Sequence, residues 1–292
     1  MKAFQQVHPY MIITVPLVIE KIYKKSIQPV VQRPLMRKLW NMPLTASFVR
    51  RKVKNKLMKA FGGNVRYFLC GGAAINPEVE RCLMDMHFPL TVGYGMTECG
   101  PLVSGSQPKK FVARSGGRIL QGMEAKVVPL EEGNQLGEIY VRGANVMMGY
   151  YKNEQATRDV MMEDGWMKTG DLGIIDAKKY IFLKGRNKNM ILGASGQNIY
   201  PEEIEDKLNN LEGVVESVVV EREGRLYGLV FPDYSKDGNP DKGERSILEV
   251  MKDNLKKLNE MLPSYSKISK IELMEKEFEK TPKKSIKRFL YK

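Results

Sequence analysis

A strand, a helix and a second strand follow one another between residues 65 and 94, and this order constrains the fold more than any other stretch of the chain. Residues 65–70 form a short apolar run, Asn76-Pro77-Glu78 is typical of a helix start, and residues 90–94 form the next apolar run. Strands joined in this way lie parallel with a right-handed crossover, and such sheets bind ligands at the carboxyl ends of their strands. We therefore expect a binding site in the residues that follow the two strands.

Size and composition favour a globular protein. The chain has 292 residues, of which 42% are hydrophobic, so it can bury one large core or two smaller ones, and it lacks the composition of a disordered segment. The longest apolar run, residues 11–19, is interrupted by Thr14 and Pro16 and is shorter than the roughly 20 residues that cross a bilayer. We expect no transmembrane segment, and the N-terminus does not resemble a secretory signal.

The thiols and imidazoles indicate neither a disulfide framework nor a metal site. Cys70, Cys82 and Cys99 are odd in number and form no CxxC pair, which fits reduced thiols in a cytoplasmic protein. His8 and His87 are not spaced to join them around a metal ion. We expect Cys99 to be a packing residue.

The formal net charge of +13 has two interpretations. Such a surplus suits an anionic partner such as nucleic acid or a membrane surface. The more ordinary interpretation, which we favour, is that lysines and arginines are spread over solvated faces of amphipathic helices. Nucleic acid is therefore not expected as a partner, whereas peripheral contact with the inner membrane surface stays open.

Three textures along the chain predict two domains. Helices are expected at 15–28 and 45–61, before the strand-helix-strand segment. Short strands separated by turns are then expected at 126–129, 138–142, 173–176 and 180–183, which indicates antiparallel pairing. A third texture predicts helices at 201–211 and 244–261 and strands at 214–221, 226–231 and 271–274. The fold class is thus α/β followed by α+β, and the last segment would be a separate domain.

Three motifs carry a resemblance to a known family. In chain order they are Tyr94-Gly95-Met96-Thr97-Glu98, Lys168-Thr169-Gly170-Asp171 and Gly185-Arg186. Together they resemble the adenylate-forming enzymes. Further segments are similar to AMP-forming acyl-CoA synthetases of the long-chain fatty-acid type: Gly137-Glu138-Ile139-Tyr140-Val141-Arg142-Gly143, Gly149-Tyr150-Tyr151 and Asn198-Ile199-Tyr200-Pro201.

This resemblance implies a reaction and its participants. A fatty acid would be activated with ATP and Mg²⁺ to an acyl-adenylate, and the acyl group would then pass to coenzyme A. Members of the family hold the ATP phosphates with a loop rich in Ser, Thr and Gly that ends in Pro-Lys, and we find no such loop in this sequence. The chain therefore resembles the C-terminal half of a synthetase, in which residues 1–184 belong to a large domain and residues 185–292 form a small mobile lid. We expect the chain alone to be inactive and to self-associate through an exposed inner face.

The resemblance also assigns residues to the nucleotide. The segment Gly72, Ala73 and Ala74 would lie against adenine, because small residues allow the backbone to approach a flat ring. Tyr94 would stack on the other face of the ring, with Gly95 beside it. These residues follow the two predicted parallel strands, although a tight turn would also explain the small residues.

Four polar residues would contact the phosphates and the ribose. Thr97 would bond a phosphate, and Glu98 would hold Mg²⁺ as an oxygen ligand. Asp171 would accept the hydroxyl groups of the ribose, with Arg186 as a second contact. Each assignment has a structural alternative. Thr97 and Glu98 could cap a helix, Asp171 could precede a β-turn, and Arg186 could form an exposed ion pair.

The resemblance places a hinge and a coenzyme A loop in the second domain. Lys188 matches the position at which such enzymes rotate the lid, and Gly193 and Gly196 match a loop that enters the site for thioester formation. The family also has a catalytic lysine near its C-terminus. Alignment without gaps puts Ser285 at that position, so either Lys284, one residue earlier, supplies the charge or adenylation is weakened. We favour Lys284, because a lysine side chain is long and flexible enough to make up one residue.

Two alternatives stay open. A related enzyme that adenylates an aryl or aminoacyl group and loads a carrier protein shares nearly all of these motifs. A short protein without catalytic activity could also use the small domain to bind a nucleotide or a partner. The acyl chain length cannot be derived from these residues.

Overall fold

The computed structural model describes residues 2–131, 133–193, 196–238, 245–281 and 285–291. Its contacts divide the chain into two compact units. The first consists of Met1–Thr169 and Gly173–Leu183, and the second of Gly170–Leu172 and Lys184–Lys292.

The first unit begins with helices around a short strand. They are α1 (Lys2–Val7), β1 (Met11–Thr14), α2 (Pro16–Ile22), α3 (Gln28–Val31), α4 (Pro34–Asn41) and α5 (Pro43–Ala60). The helix expected over 15–28 begins at Pro16 but is interrupted by a π-helical segment, Tyr23–Ile27, before α3. The predicted helix over 45–61 is α5, which starts two residues earlier because Pro43 occupies its first turn.

The strand-helix-strand prediction is realised as β2 (Tyr67–Cys70), α6 (Pro77–Asp85) and β3 (Leu90–Val92). The α6 helix starts where expected because Asn76 accepts hydrogen bonds from two amides of its first turn. Strands β1, β2 and β3 form one parallel sheet in that order. The sheet packs on a cluster in which Phe61, Phe68 and Phe88 lie with ring centroids 5.1 to 6.2 Å apart.

The predicted strand over 90–94 is wrong in its extent. The parallel strand ends at Val92, and Tyr94–Gly95 form a separate strand, β4, in an antiparallel sheet with β5 (Leu102–Gly105) and β6 (Arg118–Ile119). The chain leaves the first sheet at Gly93, where a Cβ atom would lie 3.1 Å from a methyl carbon of Leu102. Tyr94 therefore belongs to a different sheet from the one that the sequence indicated.

A four-stranded sheet follows. Its strands are β7 (Met123–Pro129), β8 (Gly137–Gly143), β9 (Met167–Ile175) and β10 (Ile181–Arg186), in the order β10-β9-β8-β7, and α7 (Glu154–Val160) lies between β8 and β9 in the chain. The strand expected at 173–176 is longer than predicted. Because β9 starts at Met167, Asp171 lies within the strand rather than before a turn.

In its described residues, the second unit contains a hairpin, two α-helices and a three-stranded sheet. The hairpin joins β11 (Ile191–Leu192) to β12 (Asn198–Ile199), and the later elements are α8 (Pro201–Leu208), β13 (Val214–Arg222), β14 (Arg225–Pro232), α9 (Ile247–Glu260) and β15 (Ile268–Leu273). Strand β14 pairs antiparallel with β13 and parallel with β15. Ser246 and Glu249 form a capping box that fixes the start of α9. Within the described ranges, no helix is both long and apolar enough to cross a bilayer.

Candidate functional site

The parallel strands β1, β2 and β3 end at one edge of their sheet. Thr14 is paired with Cys70, and Cys70 with Val92, so the three carboxyl ends are level. The next residues continue this alignment, because the Gly71 amide donates to the Thr14 carbonyl at 3.1 Å and the Gly93 amide donates to the Cys70 carbonyl at 3.0 Å. This edge is where ligands of parallel sheets bind.

The segment predicted to lie against adenine follows directly at this edge. Gly72, Ala73 and Ala74 are all exposed, and Gly72 has a φ of +86°, a conformation that favours glycine. With no side chain longer than a methyl group, the backbone here is open to a flat ligand. The contact with adenine itself stays a prediction.

Tyr94 is placed differently from what a stacking role suggests. Only 6% of it is exposed, and it belongs to a hydrophobic cluster with Cys99 and Val103. It lies close to Gly116, because a Cβ atom there would be 2.7 Å from the Cβ of Tyr94 and the Tyr94 amide donates to the Gly116 carbonyl oxygen at 3.1 Å. Tyr94 therefore has a packing role in this conformation, and its role in stacking stays a prediction.

Gly95 has a structural reason of its own. A Cβ atom there would lie 2.0 Å from the Pro101 carbonyl oxygen and 2.9 Å from the Cα of Leu102. Only glycine lets β4 approach β5 in this way. The packing explains Gly95 independently of any nucleotide.

Thr97 and Glu98 lie on a single 3₁₀ turn, Thr97–Cys99, which ends at Gly100 with a φ of +52°. The Thr97 side chain is exposed, and Glu98 is half-buried. Cys99 is fully buried, as expected of a packing residue. The other two cysteines, Cys70 and Cys82, are also buried, and burial raises the pKa of each thiol to about 12. Those two thiols are therefore protonated at neutral pH.

The loop after β8 contacts the Thr97–Cys99 turn through both backbone and side-chain hydrogen bonds. The Met147 amide donates to the Glu98 carbonyl oxygen at 2.7 Å, and the Tyr150 hydroxyl donates to Glu98 Oε1 at 3.0 Å. Asn145 Nδ2 donates to the carbonyl oxygens of Cys99 and Leu102 at 2.6 and 3.0 Å. The orientation of the Glu98 carboxylate is thus fixed by a segment about 50 residues later in the chain.

Tyr150 is a suitable donor for this purpose. Partial burial raises its pKa, and the hydrogen bond to the Glu98 carboxylate raises it further, so the phenol keeps its proton around neutral pH. Its own backbone amide donates to the Thr157 hydroxyl, in the middle of α7, at 2.9 Å. The sequence contained Gly149-Tyr150-Tyr151 as a recognisable segment, but nothing in it indicated a contact with Glu98.

Glu98 is compatible with a magnesium site that is completed by substrate. Within the described residues, no group of three or more Asp, Glu, His or Cys side chains could hold a metal ion by itself. Mg²⁺ bound to nucleotides is usually held by one or two carboxylates together with phosphate oxygens, and it neutralises charge on the triphosphate. A single oriented carboxylate on an exposed turn fits that arrangement, so Glu98 would hold the ion.

Asp171 and Arg186 are brought together, although 15 residues separate them in sequence. The Asp171 side chain is 9% exposed and accepts from Arg186 Nε at 3.0 Å, whereas the Arg186 side chain is 66% exposed. Both belong to the second compact unit. The pair combines a carboxylate oriented by its partner with a guanidinium open to solvent, an arrangement that could receive a diol and an adjacent anion.

The predicted hinge and coenzyme A loop lie in regular local structure. Lys188 is exposed in the middle of the 3₁₀ turn Asn187–Asn189. Gly193 and Gly196 close the β11–β12 hairpin, where the Gly193 amide donates to the Gln197 carbonyl at 2.8 Å and Gly196 has a φ of +84°. A hairpin turn accounts for both glycines, and the roles in rotation and in thioester formation stay predictions.

The C-terminal segment is anchored on both sides of the expected catalytic lysine, while Lys284 itself lies outside the described residues. Lys280 Nζ lies 2.8 Å from Glu216 Oε2, with both side chains mostly buried. Ser285 lies next to Thr281, because its carbonyl oxygen accepts a hydrogen bond from the Thr281 amide at 2.8 Å. Lys280, on the N-terminal side of Lys284, is thus attached to Glu216 in β13 of the second unit.

A second ion pair lies beyond the loop. Arg288 donates to Glu205 Oε2, and the Val219 amide donates to Glu205 Oε1 at 2.6 Å. Burial raises the pKa of Glu205 to about 7, against the opposing influence of Arg288 and of the Val219 amide. The sequence indicated no role for these residues, because their contact forms only where the C-terminal segment packs on α8.

Comparisons with known proteins show which family the chain belongs to. A sequence model described as "AMP-binding enzyme" matches residues 1–151, more than half of the chain, and one described as "AMP-binding enzyme C-terminal domain" matches residues 188–291. The chain belongs to the AMP-binding enzyme family. The two matched segments, 1–151 and 188–291, do not overlap.

Curated relatives of this chain are named for different substrates. Long-chain-fatty-acid–CoA ligase 1 of Saccharomyces cerevisiae is 30% identical over 190 residues, which are 63% of this chain and 27% of the relative. 2-Succinylbenzoate–CoA ligase of Listeria innocua is 34% identical over 181 residues, 60% of this chain and 37% of the relative. 4-Coumarate–CoA ligase 1 of Narcissus pseudonarcissus is 32% identical over 191 residues, 61% of this chain and 35% of the relative.

Solved structures share the fold. ATP-bound MatB from Rhodopseudomonas palustris matches 99% of this chain with a TM-score of 0.72 at 22% identity, and 52% of that structure is covered. O-succinylbenzoate coenzyme A synthetase from Bacillus subtilis in complex with AMP matches 83% of this chain with a TM-score of 0.64 at 26% identity, and 49% of it is covered. The chain thus spans about half the length of the structures that it matches.

Proposed function

We propose that this chain carries the adenosine-binding and lid portions of an AMP-forming acyl-CoA synthetase that activates long-chain fatty acids. In the proposed reaction the fatty-acid carboxylate attacks the α-phosphate of ATP, and pyrophosphate leaves. The thiolate of coenzyme A then attacks the acyl carbon, and AMP leaves. Residues 1–184 would bind the nucleotide, and residues 185–292 would form the mobile lid.

The contact between Asp171 and Arg186 carries the proposal. The resemblance assigned both residues to the ribose from two separate motifs, and the side chains lie 3.0 Å apart at their nearest atoms. A mostly buried carboxylate next to a mostly exposed guanidinium is more specific than a surface ion pair, because burial of Asp171 restricts its possible partners. Glu98 on its braced turn would supply the magnesium ligand.

Each remaining assigned residue has a place in this proposal. Thr97 would bond a phosphate oxygen, and Gly72, Ala73 and Ala74 would lie along adenine. Tyr94 and Gly95 would border the same ring. Lys188 would serve as the hinge, Gly193 and Gly196 would admit the pantetheine chain of coenzyme A, and Lys284 would contact the reacting carboxylate and α-phosphate.

Long-chain fatty acid is the substrate that we favour. Relatives named as long-chain-fatty-acid–CoA ligases occur in yeast and in Mycobacterium bovis, the latter 34% identical over 170 residues. Relatives named as 4-coumarate and 2-succinylbenzoate ligases are similarly identical, and they support an aryl acid as the second candidate. A comparison of acyl groups is therefore part of the test.

The test is calorimetric titration with non-hydrolysable acyl sulfamoyl adenosine, because binding can be measured without turnover. We expect a Kd near the micromolar range. Asp171→Asn removes the carboxylate charge at constant size and should weaken binding about 10- to 100-fold, the effect of one or two charge-assisted hydrogen bonds. Asp159→Asn, an exposed carboxylate on α7, is the matched control and should bind as the parent does.

The outcomes separate the candidates. Equal affinity of the parent chain and Asp171→Asn, or no binding by either, would refute an adenosine site built on Asp171. Preference for a hexadecanoyl over a coumaroyl or succinylbenzoyl group would support the fatty-acid assignment. The reverse preference would favour an aryl acid while retaining the adenosine site.

A further inference from the structure

Positive charge is concentrated in one part of the chain. Residues 16–60 contain twelve lysines and arginines but a single acidic residue, Glu20, and so carry +11 of the formal net charge of +13. The other residues are close to neutral as a set. The twelve cations are Lys21, Lys24, Lys25, Arg33, Arg37, Lys38, Arg50, Arg51, Lys52, Lys54, Lys56 and Lys59.

Helix α5 places part of this charge on one face. Its buried positions, Ala46, Val49 and Leu57, form the stripe that packs on the core. Its exposed positions recur with spacings of three and four residues, as one side of a helix requires. We call this side the α5 outer face; its members are Leu44, Ser47, Phe48, Arg51, Lys52, Asn55, Lys56 and Lys59.

The α5 outer face has an apolar end and a cationic end. Leu44 is 91% exposed and Phe48 is 53% exposed, both within the first two turns of the helix. The cations occupy the following turns, and α5 contains no acidic residue. A helix of 18 residues is ~27 Å long, so the face is an extended strip rather than a point of charge.

The cations of this strip are available to a partner. Within the described part of the chain, none of Arg51, Lys52, Lys56 and Lys59 forms an ion pair, although Lys52 Nζ lies 4.9 Å from the centroid of the Phe48 ring. Such a set of like charges would disfavour the folded state unless an anionic partner or counterions compensate it.

We propose that the α5 outer face docks on the surface of an anionic lipid bilayer. The four cations would lie near lipid phosphates and carboxylates, and Leu44 and Phe48 would enter the boundary between headgroups and acyl chains. An exposed leucine at the apolar end favours lipid over nucleic acid, because a phosphodiester backbone offers it nothing to bury against. The apolar side chains Leu35 and Met42, which are 69% and 47% exposed, lie in the same segment of the chain.

The expected strength follows from the two kinds of contact. A lysine or arginine close to an anionic membrane strengthens binding about fivefold, so four of them together give several hundredfold. Apolar insertion adds to this and is less sensitive to salt. Binding should therefore need both anionic lipid and low to moderate ionic strength, and part of it should persist when salt screens the charges.

The test is co-flotation of the purified chain with vesicles of phosphatidylcholine alone or with about 30% phosphatidylserine. The parent chain should float with the anionic vesicles only. The quadruple variant R51Q/K52Q/K56Q/K59Q should lose at least tenfold in partitioning. The double variant L44S/F48S should bind several-fold more weakly, with the larger relative loss at high salt.

The matched control removes the same number of charges elsewhere. Lys252, Lys256, Lys257 and Lys267 are exposed in the second unit, and K252Q/K256Q/K257Q/K267Q should partition as the parent chain does. Circular dichroism checks that every variant is folded. Equal losses in both quadruple variants would overturn the proposal, because total charge rather than the α5 outer face would then explain the binding.

A second experiment distinguishes lipid from nucleic acid as the anionic partner. The parent chain is titrated with a fluorescent 20-base-pair DNA and, separately, with the anionic vesicles. Flotation that persists in the presence of excess DNA and depends on Leu44 and Phe48 would support a lipid surface. Tight DNA binding without flotation, or no flotation at all, would refute the proposal.

Discussion

The ion pair between Lys280 and Glu216 should be among the more important polar contacts of the second unit, and Lys280→Met tests this. The two side chains are 16% and 14% exposed and their charged atoms lie 2.8 Å apart. Glu216 Oε1 also accepts from the Phe278 amide at 3.0 Å. Methionine keeps the length of the side chain but leaves the Glu216 carboxylate mostly buried without its cation.

The effect of Lys280→Met on the free energy of unfolding should lie between those known for fully buried and for exposed ion pairs. Removing one partner of a fully buried pair costs about 3–5 kcal/mol, whereas an exposed pair contributes about 0–1 kcal/mol. Since these side chains are near the buried limit but retain some solvent, we expect Lys280→Met to lower the free energy of unfolding by about 2–3 kcal/mol. Lys287→Met is the control, because Lys287 and Glu279 form a pair whose side chains are 34% and 65% exposed. It should cost less than about 1 kcal/mol.

The assay must distinguish the two units. Both tryptophans, Trp40 and Trp166, belong to the first unit, so their fluorescence reports only that unit during urea unfolding. Hydrogen exchange of the Val219 and Val230 amides in β13 and β14 reports the second unit. Lys280→Met should accelerate exchange at these amides by a factor of about 30–150 and leave the fluorescence transition unchanged. Acceleration of less than about threefold, or equal effects of Lys280→Met and Lys287→Met, would refute the reasoning.

The same pair has a defined pH dependence. Burial acts to lower the pKa of Lys280, but the hydrogen bonds and charges of Glu216 and Glu277 outweigh it and raise the pKa above its ordinary value. A lysine with a raised folded-state pKa contributes its full stability below its unfolded pKa of about 10.4. The difference in stability between the parent chain and Lys280→Met should be constant from about pH 7 to 9 and should decrease as the pH rises above about 10.4.

Two further predictions concern the first unit. Gly95→Ala should lower the free energy of unfolding by at least about 2 kcal/mol, because its Cβ would lie 2.0 Å from the Pro101 carbonyl oxygen, whereas at Gly71 the nearest atom would be 3.6 Å away and Gly71→Ala should be tolerated. Urea unfolding followed by tryptophan fluorescence measures both, and similar effects would contradict the packing argument. Tyr150→Phe should weaken Mg²⁺-dependent nucleotide binding about two- to tenfold by releasing the Glu98 carboxylate, with little effect on binding without Mg²⁺. Calorimetric titration with and without Mg²⁺ measures this, and an equal loss in both would contradict a role through the metal.

The parts of the fold that the sequence predicted are those with strong local signals. Helix α6 was predicted because Asn76, Pro77 and an acidic first turn define its start within a few residues. Strand β1 was not predicted, because Met11 and Ile13 are 49% and 71% exposed and its pairing partner, β2, is more than 50 residues away. A short edge strand of this kind has no local signature that separates it from a loop.

The sequence indicated that candidate site residues on one motif lie together, but it did not indicate the contacts between motifs. The turn with Thr97 and Glu98 was recognised from five consecutive residues. The hydrogen bond from Tyr150 to Glu98 joins residues 52 positions apart, so no spacing rule could have indicated it. For Tyr94 a local pattern was misleading. Its position at the end of an apolar run predicted the end of a parallel strand, but the chain changes sheet at Gly93 and the Tyr94 ring packs in a hydrophobic core.

The sequence-based interpretation of the net charge treated the cations as spread along the whole chain, whereas most of the surplus lies in one segment. A total of +13 is compatible with cations on many solvated helix faces, and four of the six cations of α5 do lie on such a face. Counting by segment, however, leaves the chain outside residues 16–60 almost neutral. Only the structure shows which of these cations share a face with exposed Leu44 and Phe48, and which positions, such as Ala46 and Val49, face the core. Electrostatic attraction to a membrane depends on charge per area of one surface, so the distribution decides the interaction and the total does not.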